Sequence, residues 1–263
     1  MIVDGRMMAR EVLARTKVRA EKLGRRPHVL VYIASHETPA TRSYLKIKAR
    51  SADAAGCDFE ETRSLTPSSH ADAIVVQLPL SPEVNTAEVL NAIPVRQDAD
   101  VLSHDAREKF EKGDPDSLLP PVVGAVKKIL EWGNIEITGK RAVVVGTGFL
   151  VGVPVALWLT HKGAHVTVVD RSTPDFVNAF READIVVSGA GTPHLINPDM
   201  VKEGVVLIDA GTSESNGEIV GDIDPLCAEK SALFTPVPGG IGPLAVACLF
   251  ENVVTLVEKA TNT

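Results

Sequence analysis

Cysteine is scarce in this sequence. Cys57, Cys227 and Cys248 stand far apart and odd in number, which argues against a disulfide framework or a CxxC metal site and points to a reducing compartment such as the cytoplasm. Basic charge is short as well: a net charge of −7 speaks against a binder of nucleic acid or anionic membranes, whose footprint is basic, and leaves small-molecule chemistry. The opening MIVDGRMMAR lacks the apolar core of a secretion signal. Neither an internal repeat nor a low-complexity tract is visible. The uncharged run from Ala142 to Thr160 approaches bilayer-spanning length. Its β-branched start, its glycines and Pro154 make it instead a buried strand turning into a buried helix.

What is present is enough for two domains, with 263 residues of which 44% are hydrophobic. Apolar spacing predicts a helix over Arg6 to Lys22, a strand within Pro27 to Ser35, a helix over Tyr44 to Ala55 and a buried strand in ADAIVVQLPLSP stopped by prolines. CDFEETRS is a weaker strand and Thr86 to Ile93 a short helix. RQDADVLSHDAREKFEKGDPDS reads as a polar connector. Beyond it come a helix over Pro121 to Trp132, then strand Arg141 to Val145, helix Val151 to Lys162, strand His165 to Asp170, helix Phe176 to Ala183, and strands Ile185 to Ser188 and Val205 to Asp209. A final helix covers Val246 to Ala260. This alternation is an α/β design whose second half is a doubly wound mononucleotide fold.

The segment RAVVVGTGFLVGVPVALWLTHKGAHVTVVD carries the first candidate site. A dinucleotide site needs a sharp turn after its first strand, close backbone approach to the pyrophosphate, and a helix N-terminus facing the negative charge. Gly146, Gly148 and Gly152 have the spacing GxGxxxG, one residue longer than the usual fingerprint. A strand precedes them, a helix with Pro154 in its first turn follows, and Asp170 ends the next strand. These glycines would otherwise serve only tight strand-to-helix packing. A carboxylate at Asp170 can accept both ribose hydroxyls of NAD and repel a 2′-phosphate, whereas Arg171 beside it could pair with that phosphate. The expected cofactor contacts are Gly146, Thr147, Gly148, Val151, Gly152, Asp170 and Arg171, with Gly211 and Thr212 after a later strand; no metal is expected.

The second constellation is YLKIK, which puts Tyr44 and Lys48 four residues apart on one helical face. An aromatic ring there can stack a flat heterocycle while the amine moves protons, if burial lowers its pKa. On spacing alone an ordinary exposed lysine is the more frequent case. Gln77 closes a buried strand, at the end where open α/β sheets place ligands. Asp100 lies in the connector. TPVPGGIGP, residues 235 to 243, is a stiff loop that reads equally as a cleft wall or a plain hinge.

Taken together these motifs resemble the methylenetetrahydrofolate dehydrogenase/methenyltetrahydrofolate cyclohydrolase (FolD) family nearly end to end. PATRSYLKIK resembles its PASxxYxxxKxK, VVQLPL its QLPLP, QDAD its DVD, GDID its GDVD, and TPVPGGIGPLA its TPVPGGVGPMT. The resemblance implies a catalytic, folate-binding domain of residues 1–118 and 242–263, with the last helix returning to it, and a Rossmann-like NAD(P)-binding domain of residues 119–241. It implies that Tyr44 stacks on the folate ring, Lys48 is the catalytic lysine, Gln77 orients it, Asp100 hydrogen-bonds the pterin, and Pro238, Gly239 and Gly240 bind substrate. The implied activity is oxidation of 5,10-methylenetetrahydrofolate to the methenyl form with NAD(P)+, then hydrolysis to 10-formyltetrahydrofolate, in a cytoplasmic homodimer joined through the nucleotide domain.

The sequence departs from the family pattern at telling places. Thr147 stands where an arginine helps bind the 2′-phosphate, and Asp170 where a histidine is typical; both favour NAD over NADP. Val101 replaces a glycine beside Asp100. The stretch between Glu61 and Gln77 is shorter than in the family, which implies a missing peripheral helix. Two other readings keep some of these features: a shikimate-type NAD(P) dehydrogenase, and a folate- or nucleotide-sensing subunit without turnover.

Overall fold

The computed structural model describes residues 1–34, 38–64, 70–170, 172–174, 176–215 and 218–261. The chain gathers into two units, one of Ala9–Pro121 with Val246–Thr263, the other of Met1–Met8 with Val122–Ala245.

In the first unit, helix α1 (Gly5–Glu21) leads to strand β1 (His28–Tyr32), helix α2 (Pro39–Ala54) and strands β2 (Asp58–Thr62) and β3 (Ala73–Val76). The sheet is parallel, in the order β2-β1-β3, with Tyr32 registered against Thr62 and Val76. HVLVY and AIVV are apolar runs because β1 is central and β3 is covered on both faces, while DFEET is an edge strand and stays polar. Leu30, Ile74, Val76, Leu90, Ile93 and Leu102 form one layer of the core. Helix α2 starts five residues before the helix read from Tyr44. Thr38 caps it by accepting the N–H of Thr41 at 3.1 Å, and Pro39 follows in the first turn, where its missing N–H costs nothing. After α3 (Thr86–Asn91), the presumed connector holds a 3-10 turn at Val95–Gln97 and a helix, α4 (His104–Glu111), capped by Ser103.

The second unit takes in helix α5 (Pro121–Trp132) from Val122 onward. Strands β4 (Arg141–Val145), β5 (His165–Val169), β6 (Ile185–Ser188), β7 (Val205–Asp209) and β10 (Ser231–Phe234) make a parallel sheet in the order β10-β7-β6-β4-β5. The chain leaves β4 for β5 on one side and later for β6 on the other, so the switch point lies at β4. Helices α6 (Gly152–His161) and α7 (Phe176–Glu182) connect these strands, and Phe180 packs edge-on against Phe176 at 5.9 Å in a core with Val143, Val145 and Leu207. The hairpin β8 (Ser213–Ser215) and β9 (Glu218–Val220) and strand β10 were not foreseen from the sequence. The chain start extends this sheet: Ile2 bridges Phe234 in parallel, and Val3 N–H donates to Phe234 O at 2.9 Å.

Ala142 to Thr160 is indeed strand, turn and helix. Helix α8 (Ile241–Thr261) is long and apolar enough to cross a membrane by length and composition, but Phe250, Val253 and Val254 are fully buried, as in a core helix.

Candidate active site

Helix α2 buries Leu45 completely and leaves Tyr44 40% exposed, so the next turn carries Lys48, half-buried, on the same face as the ring. Lys48 Nζ donates to Gln77 Oε1 at 3.1 Å. Gln77 follows β3 directly and is held from two sides. Its backbone N–H donates to Tyr32 O at 2.9 Å, and its Nε2 donates to Leu78 O at 2.7 Å, which turns Oε1 toward the lysine. The Leu78–Pro79 peptide is cis. Burial lowers the Lys48 pKa, with the charge of Asp100 pulling it back up. Burial pushes Asp100 up to about 6, against the pull of Lys48 and with the charge of Asp98 adding to the rise. Burial thus favours the uncharged form of both groups, an amine able to accept a proton and an acid able to donate one.

The segment carrying Asp100 is fixed by groups that sequence reasoning did not single out. Asp98, buried, accepts from Leu102 N–H at 3.0 Å, Ser103 N–H at 2.7 Å and Ser103 Oγ at 2.7 Å. Asn252 of α8 donates to Ala99 O and Leu119 O, both at 2.9 Å. Between them Val101 sits at φ 58°, a left-handed conformation that is an outlier for a β-branched residue. Asp98 was legible only as part of QDAD; Asn252 had no local signal.

In the second unit the three glycines of the turn do different jobs. A Cβ on Gly146 (φ 98°) would come within 2.9 Å of Gly189 O, and one on Gly152 within 1.9 Å of Gly146 O, so both are demanded by packing. Only Gly148 has nothing within 4 Å of that position. The N-terminus of α6 has no side-chain cap, because Val151 occupies the cap position with no acceptor to offer. An open glycine before an uncapped helix start is a fit for a pyrophosphate. Thr147 is exposed. Asp170 Oδ1 accepts from Ser172 Oγ at 2.6 Å, Ser172 N–H at 2.8 Å and Thr173 Oγ1 at 3.2 Å, and these bonds, the Ser172 hydroxyl first, hold the carboxyl below the usual range. Arg171 lies outside the described residues.

Gly211 is turned inward: its N–H donates to Asp209 Oδ1 at 2.9 Å, and a Cβ would strike Asp222 Oδ1 at 2.2 Å. Thr212 beside it is exposed. Pro238, Gly239 and Gly240 form the loop between β10 and α8, with a cis Val237–Pro238 peptide and Gly239 at φ 111°. Lys48, Gln77 and Asp100 thus come together in one unit. The glycine turn, Asp170, Gly211, Thr212 and the Pro238–Gly240 loop belong to the other. Among the described residues no group of three His, Cys, Asp or Glu could hold a metal ion. A cavity of about 520 Å³ opens near Arg141, Thr160 and His165, at the amino ends of β4 and β5 and so away from the glycine turn.

A sheet wound both ways from a glycine turn, with a separate lysine–amide–acid cluster, defines a two-unit α/β nucleotide-binding protein. Residues 120–261 match the family model for the tetrahydrofolate dehydrogenase/cyclohydrolase NAD(P)-binding domain. Bifunctional FolD proteins of Thermotoga petrophila and Hydrogenobaculum are 36% and 34% identical, over 98% and 95% of this chain and 99% and 96% of theirs. The FolD structure from Campylobacter jejuni superposes with a TM-score of 0.94 at 30% identity, covering 99% of both chains. That from Trypanosoma brucei, described as complexed with NADP cofactor and inhibitor, does so at 0.93 and 30%, covering 100% of this chain and 99% of that one. The chain belongs to the tetrahydrofolate dehydrogenase/cyclohydrolase family.

Proposed function

We propose that this protein oxidises 5,10-methylenetetrahydrofolate to 5,10-methenyltetrahydrofolate with NAD(P)+ and hydrolyses the product to 10-formyltetrahydrofolate. Its bifunctional relatives and the match to dehydrogenase/cyclohydrolase structures support this over a shikimate-type dehydrogenase or a sensor without turnover. The observation that carries the chemistry is the Lys48–Gln77 hydrogen bond within the field of Asp100. Bound NAD(P)+ supplies the hydride acceptor. Gly146, Thr147, Gly148, Val151, Gly152 and Asp170 are its candidate holders, with Arg171, Gly211 and Thr212.

The methenyl species is a cation, so an ammonium at Lys48 would repel it. Burial favours the neutral amine, Gln77 fixes the direction of Nζ, and Asp100 exchanges a proton with it as water adds and the ring opens. Tyr44 supplies the face on which the folate ring stacks, Asp100 bonds the pterin, and Pro238, Gly239 and Gly240 contribute to substrate binding. We assign NAD over NADP, because Asp170 is charged and Thr147 is uncharged. We further assign a cytoplasmic homodimer.

Lys48→Met is expected to lower methenyltetrahydrofolate hydrolysis, followed by its absorbance, by at least about 100-fold, while folate binding remains measurable. Near-wild-type hydrolysis would overturn the role of Lys48. The cofactor assignment is checked by kcat/KM with each nicotinamide cofactor: wild type should favour NAD+, and Asp170→Ser should narrow the ratio. A strong wild-type preference for NADP+ is the contrary result.

A further inference from the structure

The topology of the second unit divides the carboxyl edge of its sheet into two sides. Asp170 ends β5 on one side of β4, the glycine turn sits at β4 itself, and β6 and β7 lie on the other side. A dinucleotide with its pyrophosphate at the turn and one ribose at Asp170 must lay its other half over the ends of β6 and β7. The segment after β6 adjoins the turn directly: Gly189 N–H donates to Val145 O at 2.9 Å, and a Cβ on Gly189 would come within 2.6 Å of the Val151 side chain.

Asp222, fully buried, spends its carboxylate on this segment. Oδ2 accepts from Ser188 Oγ at 2.7 Å, Ala190 N–H at 2.7 Å and Gly191 N–H at 3.3 Å, and Oδ1 accepts from Thr192 N–H at 2.8 Å. The acid is itself tied down. Asp209, at the end of β7, accepts from the N–H groups of Asp222 at 3.2 Å and Ile223 at 2.8 Å. A buried carboxylate is costly to desolvate, and here the donors that offset the cost are three successive backbone N–H groups of one ligand-side segment. With those donors turned inward, the segment is built to meet donors rather than phosphate oxygens. The donors of a dinucleotide on this side are the ribose hydroxyls and the carboxamide N–H2 of the nicotinamide half. Gly191, at φ 62°, has nothing within 4 Å of the position a Cβ would take, so the segment has open space beside it.

The geometry points to Asp222 as a positioning residue for the nicotinamide half of the cofactor, acting through the segment Ala190–Thr192. This rests on the dinucleotide reading above. Asp222→Asn keeps the shape but sets an amide N–H2 against a backbone N–H, so the segment must shift. The measurement is calorimetric binding of the preferred cofactor, NAD+ or NADP+, and of the same molecule without its nicotinamide ribose, ADP or its 2′-phosphate. The variant should bind the whole cofactor at least about tenfold more weakly and the truncated one as wild type does, with the KM for cofactor rising accordingly. Wild-type binding of the truncated ligand serves as the control for folding of this unit. Equal weakening of both ligands, or no weakening of either, would overturn the role. A wild-type protein that binds neither would overturn the dinucleotide reading instead. Should Asp222→Asn fail to fold, Ser188→Ala removes a single donor to the same carboxylate. It must weaken whole-cofactor binding several-fold more than binding of the truncated ligand, and an unchanged ratio counts against the proposal.

Discussion

A valine at φ 58° has to be held there. The left-handed region costs a β-branched residue on the order of 1–3 kcal/mol, and burial of a valine side chain returns roughly 1.5–3 kcal/mol. Asp98 gathers the two residues after Val101 and Asn252 holds the carbonyl of Ala99 before it, so the strained peptide is fixed from both sides at the position that sets Asp100. Val101→Gly removes strain and burial together. Its unfolding free energy from urea titration should therefore match wild type to within about 1 kcal/mol, where an unstrained buried valine would lose well over 2 kcal/mol. At this scale the site was legible as motif more than as chemistry. Spacing puts Tyr44 and Lys48 on one face, but nothing local says that Gln77 meets Lys48, since that contact depends on β1 and β3 pairing in parallel. The three glycines were legible as a turn, yet only their surroundings separate Gly146 and Gly152, which packing requires, from Gly148, which stands open.

Elements were easiest to read where burial is one-sided or total. β4, β6 and β7 are near-continuous buried apolar runs because helices cover a parallel sheet on both faces, and α5 is found at the bounds its amphipathic spacing predicts. Helix α4 was hidden because Ala106 and Phe110, four residues apart, are its only buried positions, too few to establish a period. Its start signal was nonetheless present in Ser103. The first turn of α2 was masked by PATRS, whose turn-forming composition outweighed a Thr-Pro helix start. Hairpin strands β8 and β9 are three residues each, below the length at which alternation distinguishes strand from loop, and β10, SALF, buries only its last two residues.

Each of the two units borrows a segment from the far end of the chain. Met1–Met8 join residues 122–245, and Val246–Thr263 join residues 9–121. The second loan is substantial, because α8 brings fully buried Phe250, Val253 and Val254, the Asn252 clamp on Ala99 and Leu119, and Glu258, which pairs with Arg19 at 2.6 Å. A chain ended at Ala245 should still bind the dinucleotide, measured by calorimetry, while residues 9–121 become the first region cut in limited proteolysis. Equal protection of that region with and without α8 would show that the helix is dispensable.

This shared membership sets a timetable for synthesis. When residues 122–245 leave the ribosome, Met1–Met8 are already outside, so that unit can fold at once. Residues 9–121 emerge earlier, but the buried side chains and bonds of α8 reach them only once the last described helix has followed. On that order residues 122–245 can be complete while the unit that holds Lys48, Gln77 and Asp100 still lacks its last helix. A polypeptide released early would then carry a formed glycine turn and an unfinished unit around Lys48.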